Sequence, residues 1–371
     1  MKTLIRGYIG TKNNSFVSLG VNNGIIEEVA EGELEEYEDA ELQIGGKDRI
    51  IIPAKISLSS IPFLYPFRHK VNYGKMKIGD VISIITPKDT YLFSMIAAYS
   101  MALDGISTSV VTGIHIDSVM RGFKEVGIRA IPAIPVECPY FENDWEKEAK
   151  IIKDRWSSLD TPVLLRVCSQ ENLKEIIEEA IANNYKVLLD KTVELNIPVN
   201  EKVKLIALGG GVRKDLNIIR RMGGRIAITP SQEIYQFSFD EYEPGLALEN
   251  SSAFNLTFEM QVAISRLLLS PENAIKASSE WGFSSLGLSA GAIKKKSIAD
   301  IVVLECSKPP CAPIDKDSII EQSIFGGNAI ETVIVGGNVI VDGGEALYIG
   351  SKIIQEARSR LEELEKKVTT K

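Results

Sequence analysis

The chain has 371 residues, of which 44% are hydrophobic and 25% charged, so it is long enough to bury a large core. Its formal net charge of -8 provides no basic surface of the kind that binds nucleic acid or an anionic membrane. No apolar run approaches the roughly 18 residues of a membrane-spanning helix and the N-terminus has no apolar signal core, so we expect a soluble, cytoplasmic protein.

The four cysteines do not form an obvious metal-binding pattern. Cys138, Cys168, Cys306 and Cys311 are scattered along the chain, which suits a reducing compartment. Cys306 and Cys311 are close together, but the Ser-Lys-Pro-Pro between them does not give the spacing of zinc ligands. We therefore expect a structural or neutral role for that pair.

Short strands are predicted at both ends of the chain. Residues 1–52 contain three of them, and the last two meet at Asn23-Gly24, a pair typical of a type I′ hairpin turn. Similar short strand patterns recur in Ala299–Leu304 and in Val333–Val341, a hairpin with glycines at its turn. We expect residues 1–52 and 299–345 to form one small β-domain, followed by an amphipathic helix over residues 351–371.

Between these ends, residues 53–298 alternate strands with helices, a pattern typical of a parallel sheet. Asp89 or Thr90 is predicted to cap a helix over Tyr91–Leu103, and Gln170–Asn183 has helical spacing. The strand candidates are Ile50–Ile56, Ser107–Thr112, Ile128–Ile134, Pro162–Cys168, Lys186–Asp190, Lys202–Leu208, Arg225–Thr229 and Leu246–Glu249. Eight such strands favour a closed barrel, and the absence of Gly-x-Gly-x-x-Gly after the first strand argues against a dinucleotide-binding fold.

Several segments also follow one another in a recognisable order. They are Ile51–Ser60, Asp104–Val111, Gly127–Ala130, Arg225–Pro230 and Leu286–Val303. Together they resemble the amidohydrolase superfamily, in particular its cytosine deaminase and chlorohydrolase-like branch. The resemblance covers essentially the whole chain and implies an α/β fold, a (β/α)8 TIM barrel with a small β-sandwich domain formed by the two terminal segments.

Members of that superfamily hold zinc or iron with imidazoles and a carboxylate at the C-terminal ends of the strands. The metal lowers the pKa of a bound water, which attacks an amide, amidine or ring carbon. By the resemblance, the ligand positions fall on Ser59, Ile61, Asp190, Leu208 and Glu249 or Asn250. A hydroxyl, two aliphatic groups and carboxylates do not make a zinc site, so we expect no metal cofactor.

The two histidines lie elsewhere. His69 follows the first barrel strand and His115 the second, both on the face where barrel active sites form. Either could contact a ligand, although a lone loop histidine is more often a solvated or packing residue. The candidate ligand-binding residues at the barrel mouth are Ser59, His69, His115, Arg166, Lys191 and Asn250.

Asp190 and Glu249 are the candidate catalytic residues. Two close carboxylates could share a proton and work as an acid–base pair. Alternatively, each forms a structural ion pair, and Arg166 in the fourth strand would need acidic partners if it is buried. We favour a salt-bridged cluster of Arg166, Asp190 and Glu249 that replaces the metal.

Two further features bear on the site. Gly209-Gly210-Gly211 with Arg213 and Lys214 either forms an anion-binding nest or simply turns the chain tightly after a strand. Asp190 and Leu208 are only 18 residues apart, so the helix that the superfamily usually has between its fifth and sixth strands is expected to be missing or vestigial.

Loss of the ligands and of this helix indicates erosion of the ancestral site. We interpret the chain as a non-catalytic, amidohydrolase-like pseudoenzyme with a binding or subunit role. We expect no metal-dependent activity, and we expect a homodimer. The alternative is a hydrolase or deaminase that acts on non-peptide C–N bonds of a small cyclic substrate through a metal-independent or altered site. In either case a small molecule in the barrel mouth is the expected partner, and nucleic acid and membranes are not.

Overall fold

A computed structural model of the chain describes residues 1–10, 15–158, 161–196, 203–209, 213–232, 237–327 and 329–369. The strands in this part form two eight-stranded sheets. The first sheet contains β1 (Lys2–Ile9), β2 (Phe16–Asn22), β3 (Ile25–Glu31), β4 (Leu42–Pro53), β13 (Ile301–Glu305), β14 (Ile330–Val335), β15 (Asn338–Asp342) and β16 (Glu345–Ala346). The second contains β5 (Lys55–Ser60), β6 (Ile106–Val111), β7 (Arg129–Val136), β8 (Leu164–Val167), β9 (Lys186–Leu189), β10 (Leu205–Leu208), β11 (Arg225–Ile228) and β12 (Gly245–Leu246).

The first sheet joins the two ends of the chain. Its order is β16-β15-β14-β13-β4-β1-β2-β3, and β4 pairs in parallel with β1 and antiparallel with β13. The β2–β3 turn has positive φ at both Asn23 (47°) and Gly24 (79°), as a type I′ turn requires. Ile5, Leu19 and Ile301 pack on the same buried side of the sheet. The predicted small β-domain of both terminal segments is therefore present.

The second sheet is a nearly closed parallel barrel. Strands β5 to β12 pair in chain order, and all their pairings are parallel. The ends of the ring meet where the Leu248 amide donates to the Ser59 carbonyl oxygen at 2.9 Å. The predicted (β/α)8 fold class is therefore confirmed.

The helices of the described residues cover the outside of the barrel and the C-terminus. They are α1 (Arg68–Asn72), α2 (Ile78–Ile82), α3 (Pro87–Leu103), α4 (Ile116–Val126), α5 (Trp145–Trp156), α6 (Leu173–Ala182), α7 (Leu216–Arg221), α8 (Phe239–Tyr242), α9 (Leu256–Leu267), α10 (Pro271–Ser278), α11 (Glu280–Ser285), α12 (Ile319–Phe325) and α13 (Ser351–Thr369). Two 3-10 segments occur at Glu35–Tyr37 and Pro62–Phe67. None of these helices combines the length and the apolar character that a bilayer crossing requires.

Two predicted boundaries are wrong. The strand expected over Ile50–Ile56 is divided, because Ile50–Ile52 pair with β13 of the terminal sheet and the barrel begins only at Lys55. The helix expected from Tyr91 begins at Pro87, and Thr86 caps it in a capping box with Asp89. Proline at the first helical position needs no amide partner, which moves the start of the helix one turn earlier.

The described part of the segment after β9 contains no helix. Residues 190–196 contain none, and residues 197–202, part of the segment in which the helix was expected to be missing or vestigial, lie outside the described residues. The predicted helix Gln170–Asn183 is observed as α6, which begins only at Leu173.

The cysteines form two disulfides, Cys138–Cys168 and Cys306–Cys311, and no described cysteine is free. The expectation that four scattered cysteines suit a reducing compartment is not supported, because disulfides are typical of oxidising environments. The spacing of the cysteines does not predict the Cys138–Cys168 disulfide, because its cysteines are 30 residues apart. It forms because the ends of two adjacent barrel strands lie side by side.

Asp300 connects the two sheets. Its carboxylate, which has no exposed surface, accepts hydrogen bonds from Ser107 of β6 (2.8 Å), Arg129 of β7 (2.7 Å) and the Gly336 amide of the β14–β15 turn (2.7 Å). One buried anion thus holds two barrel strands and a turn of the terminal sheet together. The donors satisfy it in full, which a buried charge requires.

A second buried carboxylate, Glu259 of α9, holds the loops that follow β11 and β12. It accepts hydrogen bonds from the Ser231 amide and hydroxyl (both 2.8 Å) and from the Ser251 hydroxyl (2.6 Å). Burial raises the pKa of Glu259 above its ordinary value, although these three hydrogen bonds oppose the shift.

We predict that Asp300→Asn lowers the free energy of unfolding by about 3 kcal/mol, because it leaves the buried Arg129 guanidinium without its counter-ion. The measurement is urea unfolding followed by circular dichroism. The control is Asp342→Asn, which removes an exposed carboxylate of the same sheet and should change stability by less than about 0.5 kcal/mol. Equal effects of the two substitutions would contradict the role of Asp300.

We also predict a pH-dependent difference between the wild-type chain and Glu259→Gln. Because the pKa of Glu259 is raised in the folded state, the folded chain binds this proton more tightly than the unfolded chain. The stability of the wild type relative to Glu259→Gln is therefore highest below the unfolded carboxyl pKa and falls as the pH rises through the raised pKa. Urea unfolding at several values between about pH 4 and 7 measures it, and the exposed Glu321→Gln should show no such trend.

Candidate active site at the barrel mouth

The barrel strands bring three predicted residues to one place. Leu164, Leu188 and Ala247 pack inside the barrel. Side chains on the same face of a strand recur every second residue, so the inward positions one step further along the chain are Arg166, Asp190 and Glu249. All three therefore lie at the C-terminal end of the barrel, where active sites of this fold form.

The Arg166 guanidinium lies between the two carboxylates. Its Nη2 donates to Asp190 Oδ2 at 2.5 Å and to Glu249 Oε1 at 2.7 Å, and its Nη1 donates to Glu249 Oε2 at 2.9 Å. The contact with Glu249 is therefore bidentate, the geometry that makes arginine–carboxylate pairs strong. Ser59 Oγ donates to Glu249 as well. We call these four side chains the mouth cluster.

The cluster is buried but not sealed. Arg166 is 6% exposed, and the side chains of Asp190 and Glu249 each keep 14% of their surface. Burial alone would lower the pKa of Arg166, but the two carboxylates outweigh it and hold the pKa above its ordinary value. The guanidinium is thus permanently charged. The structure therefore contains the predicted salt bridges of Arg166 with Asp190 and Glu249, and the two carboxylates do not face each other directly.

The mouth cluster does not fit the zinc or iron site that the resemblance implies. A cationic guanidinium already occupies the space between the carboxylates, and Leu208, at another ligand position, packs into the barrel interior. In the described residues, no group of three or more His, Cys, Asp or Glu side chains is arranged to hold a metal ion. Ile61, at a further ligand position, is aliphatic and partly buried.

Four other predicted site residues lie outside the mouth cluster. His69 is exposed on α1, and Lys191 is exposed directly after Asp190. Asn250 is also exposed and has φ of 61°, and its carbonyl oxygen accepts a hydrogen bond from the Asn72 amide at 2.8 Å. His115, with φ of 53°, precedes α4 and lines a cavity beside the barrel. Within the described residues, no hydrogen bond joins any of the four side chains to the cluster.

The predicted anion nest is not observed in the part that is described. Gly210 and Gly211 lie outside the described residues, and Lys214 is exposed. Arg213 is buried and already occupied, since it forms two hydrogen bonds with Asp215 (2.9 and 2.7 Å) and donates to the carbonyl oxygens of Val193 and Leu208. This arginine therefore ties the loop after β9 to the end of β10.

Sequence reasoning missed the disulfide that borders the mouth cluster. Cys138 follows β7 and Cys168 follows β8, and the Cys168 sulfur lies 3.9 Å from Asp190 Oδ2. The bond fixes the chain two residues after Arg166. The adjacency of the two strand ends was the signal available in the sequence, once the strand order had been predicted.

No family model matches the chain. Among curated proteins, it is 22% identical to a 5-methylthioadenosine/S-adenosylhomocysteine deaminase of Thermotoga maritima, over 92% of this chain and 93% of that protein. It is 21% identical to a 5'-deoxyadenosine deaminase of Methanocaldococcus jannaschii, over 91% of this chain and 94% of the other.

The fold is shared with solved structures at low identity. An adenosine deaminase from Xanthomonas campestris with bound zinc matches with a TM-score of 0.80 at 14% identity, over 100% of this chain and 99% of that one. A triazine hydrolase from Arthrobacter aurescens also has a TM-score of 0.80 at 14% identity, over 96% and 99% of the two chains.

These comparisons correct one interpretation. We expected a non-catalytic pseudoenzyme, but the relatives that match nearly the full length are named deaminases, and the similar structures are named deaminase and hydrolase. That expectation is therefore wrong, because it inferred loss of catalysis from the missing metal ligands and the missing helix. The order of its segments, its barrel with a terminal β-domain and these relatives together support the resemblance of the chain to the amidohydrolase superfamily.

Proposed function

We propose that the chain is a hydrolase or deaminase that acts on a non-peptide C–N bond of a small cyclic substrate at an altered barrel mouth. The observation that carries the proposal is the mouth cluster, in which two carboxylates, a guanidinium and a hydroxyl occupy the C-terminal end of the barrel. The named deaminases that align over nearly the whole chain support the reaction class.

The chemistry available to these side chains is acid–base catalysis. In hydrolytic deamination, water adds to a ring carbon that carries an amino group, the C–N bond breaks, and ammonia leaves as the carbonyl forms. Glu249 is the candidate general base that takes the proton of the attacking water, and the same proton then passes to the leaving amine, directly from Glu249 or through Asp190. Arg166 orients both carboxylates, and Ser59 orients Glu249 through its hydrogen bond.

We infer the substrate class from the names of the relatives, which specify adenine nucleosides with altered 5' groups. An aminopurine ring is a cyclic amidine, the type of group that the proposed reaction requires. We accordingly propose an adenine nucleoside or a related aminated heterocycle. The homodimer and the cytoplasmic location stay predictions from the sequence, and the two disulfides do not favour the second.

We predict that the purified chain deaminates one or more of 5'-methylthioadenosine, S-adenosylhomocysteine and 5'-deoxyadenosine. Ammonia release and the ultraviolet change of the purine ring measure it. Glu249→Gln should lower kcat/KM by about 10²- to 10⁴-fold, the usual contribution of a general base. Glu241→Gln is the matched control, since it removes an exposed glutamate from an ion pair with Arg220 and should leave the rate within about twofold.

Absence of turnover with all three nucleosides would overturn the proposed substrate class. Turnover that Glu249→Gln and Glu241→Gln change equally would overturn the role of the mouth cluster. Thermal denaturation of each variant separates a lost catalytic group from a lost fold.

The second prediction concerns stability. Arg166→Gln leaves two largely buried carboxylates without a counter-ion and should lower the free energy of unfolding by about 3–5 kcal/mol. Arg220→Gln, which breaks an exposed ion pair, should cost less than about 1 kcal/mol in the same urea titration. A small effect of Arg166→Gln would show that the ion pairs of the mouth cluster do not organise the strand ends.

A further inference from the structure

A cavity of about 900 Å³ lies beside the barrel mouth, outside the mouth cluster. It is bounded by α2, the start of α3, the loops after β6 and β7, and α5. Its volume is in the range of small-molecule sites, which span roughly 300–1,000 Å³. None of the described residues that line the cavity belongs to the mouth cluster, so the cavity is separate from the proposed catalytic site.

The wall of the cavity is apolar and aromatic. Ile82, Ile85 and Ile114 form one side, and Phe141 and Tyr140 contribute rings. Tyr140 is 59% exposed, so much of its side chain is open to solvent or to a ligand. This lining can hold the apolar body of a ligand.

The backbone around the cavity is held in uncommon conformations. Two lining residues that are not glycine have left-handed φ, His115 at 53° and Tyr140 at 70°. The Tyr140 ring packs directly on Gly79, where even a Cβ atom would lie only 3.0 Å from the ring carbon Cδ1. Such strained non-glycine residues concentrate at ligand sites, where they aim particular side chains.

The charge of the lining is acidic. It includes the carboxylates of Asp117, Glu142, Asp144 and Glu148 against the single ammonium of Lys147. Asp117 is neutralised by Arg155 at 2.7 Å and Arg121 at 2.9 Å, and Asp144 caps α5. Asp144 is engaged by the Lys147 amide, so Glu148 and the exposed Glu142 are the carboxylates of the lining that remain available to a ligand.

Glu148 is the better placed of the two. The Asn143 amide, which donates to the Pro135 carbonyl oxygen at 3.1 Å, also donates to Glu148 Oε2 at 2.7 Å and so fixes the carboxylate. No salt bridge within the described residues reaches Glu148, and its other oxygen is left for a ligand. Burial raises the pKa of Glu148 above its ordinary value, against the Asn143 hydrogen bond, which is the state of a carboxyl that lacks a cation.

His115 supplies a second polar group. Partial burial lowers the pKa of His115 below its ordinary value, so at neutral pH its imidazole is uncharged. A neutral imidazole has a nitrogen that accepts a hydrogen bond, and it does not repel a cation. Aromatic faces such as those of Tyr140 and Phe141 also attract cations.

We propose that this cavity binds a small organic cation, an amine or amidine with an apolar body, with the Glu148 carboxylate as its counter-ion and the isoleucines as its wall. The site goes beyond the proposed function, because its ligand does not contact the mouth cluster. It is a binding site whose chemistry is cation recognition by one positioned carboxylate in an apolar cavity.

The test uses benzamidine as the cationic probe and benzamide as its neutral counterpart of similar shape, with isothermal titration calorimetry on the full chain. Benzamidine should bind at least about tenfold more tightly than benzamide. Glu148→Gln should remove this preference. Glu146→Gln, on the same helix and exposed, should retain it. Ser83→Trp, at the exposed rim of the cavity, should weaken binding of both probes by filling the space.

Equal affinity for benzamidine and benzamide would overturn the proposal. Equal loss of benzamidine binding in the Glu148→Gln and Glu146→Gln variants would overturn it as well. Glu249→Gln separates this proposal from the deaminase proposal. Unchanged benzamidine affinity in that variant supports a distinct site, whereas lost affinity would place the cation at the barrel mouth and overturn the assignment. Thermal denaturation confirms that each variant is folded.

Discussion

The contact on which the active face depends is that of one guanidinium with two carboxylates. Arg166 enters the barrel mouth from β8, and its ion pairs with Asp190 and Glu249 connect the fourth, fifth and eighth strands. A buried charge is stable only when its partners satisfy it, so the three residues have to be present together. Superfamily members place a metal cation among their ligands; here an arginine side chain supplies the positive charge between the two acids.

This arrangement explains how the barrel mouth is held together without histidines and a metal at the strand ends. The acids at the strand ends would repel each other without a cation, and the guanidinium provides it from within the chain. Other buried carboxylates act similarly at the remaining junctions: Asp300 joins the terminal sheet to β6 and β7, and Glu259 joins two mouth loops to α9. Stability and the geometry of the mouth therefore rest on the same kind of interaction.

Sequence reasoning predicted much of the fold from local periodicity, and the resemblance to the amidohydrolase superfamily implied three members of the mouth cluster, Ser59, Asp190 and Glu249. Alternation along the strands places Asp190 and Glu249 inward, and a basic residue in a barrel strand demands an acidic partner. The first strand boundary was wrong because Ile50–Ile52 are as apolar as the barrel strand that follows. Their assignment depends on pairing with β13, which lies far away in the chain.

The sequence by itself determined the barrel and the terminal sheet, since these depend on residue identity and spacing, and its resemblance to the amidohydrolase superfamily implied that the usual ligand types are absent from the corresponding positions. Only the tertiary structure decided that Arg166 bridges both acids, that Cys138 meets Cys168, and that Glu148 lines a cavity with residues of other elements. Each of these is a contact between residues distant in the chain, and its distance and burial are set by packing of whole elements, which no local pattern encodes.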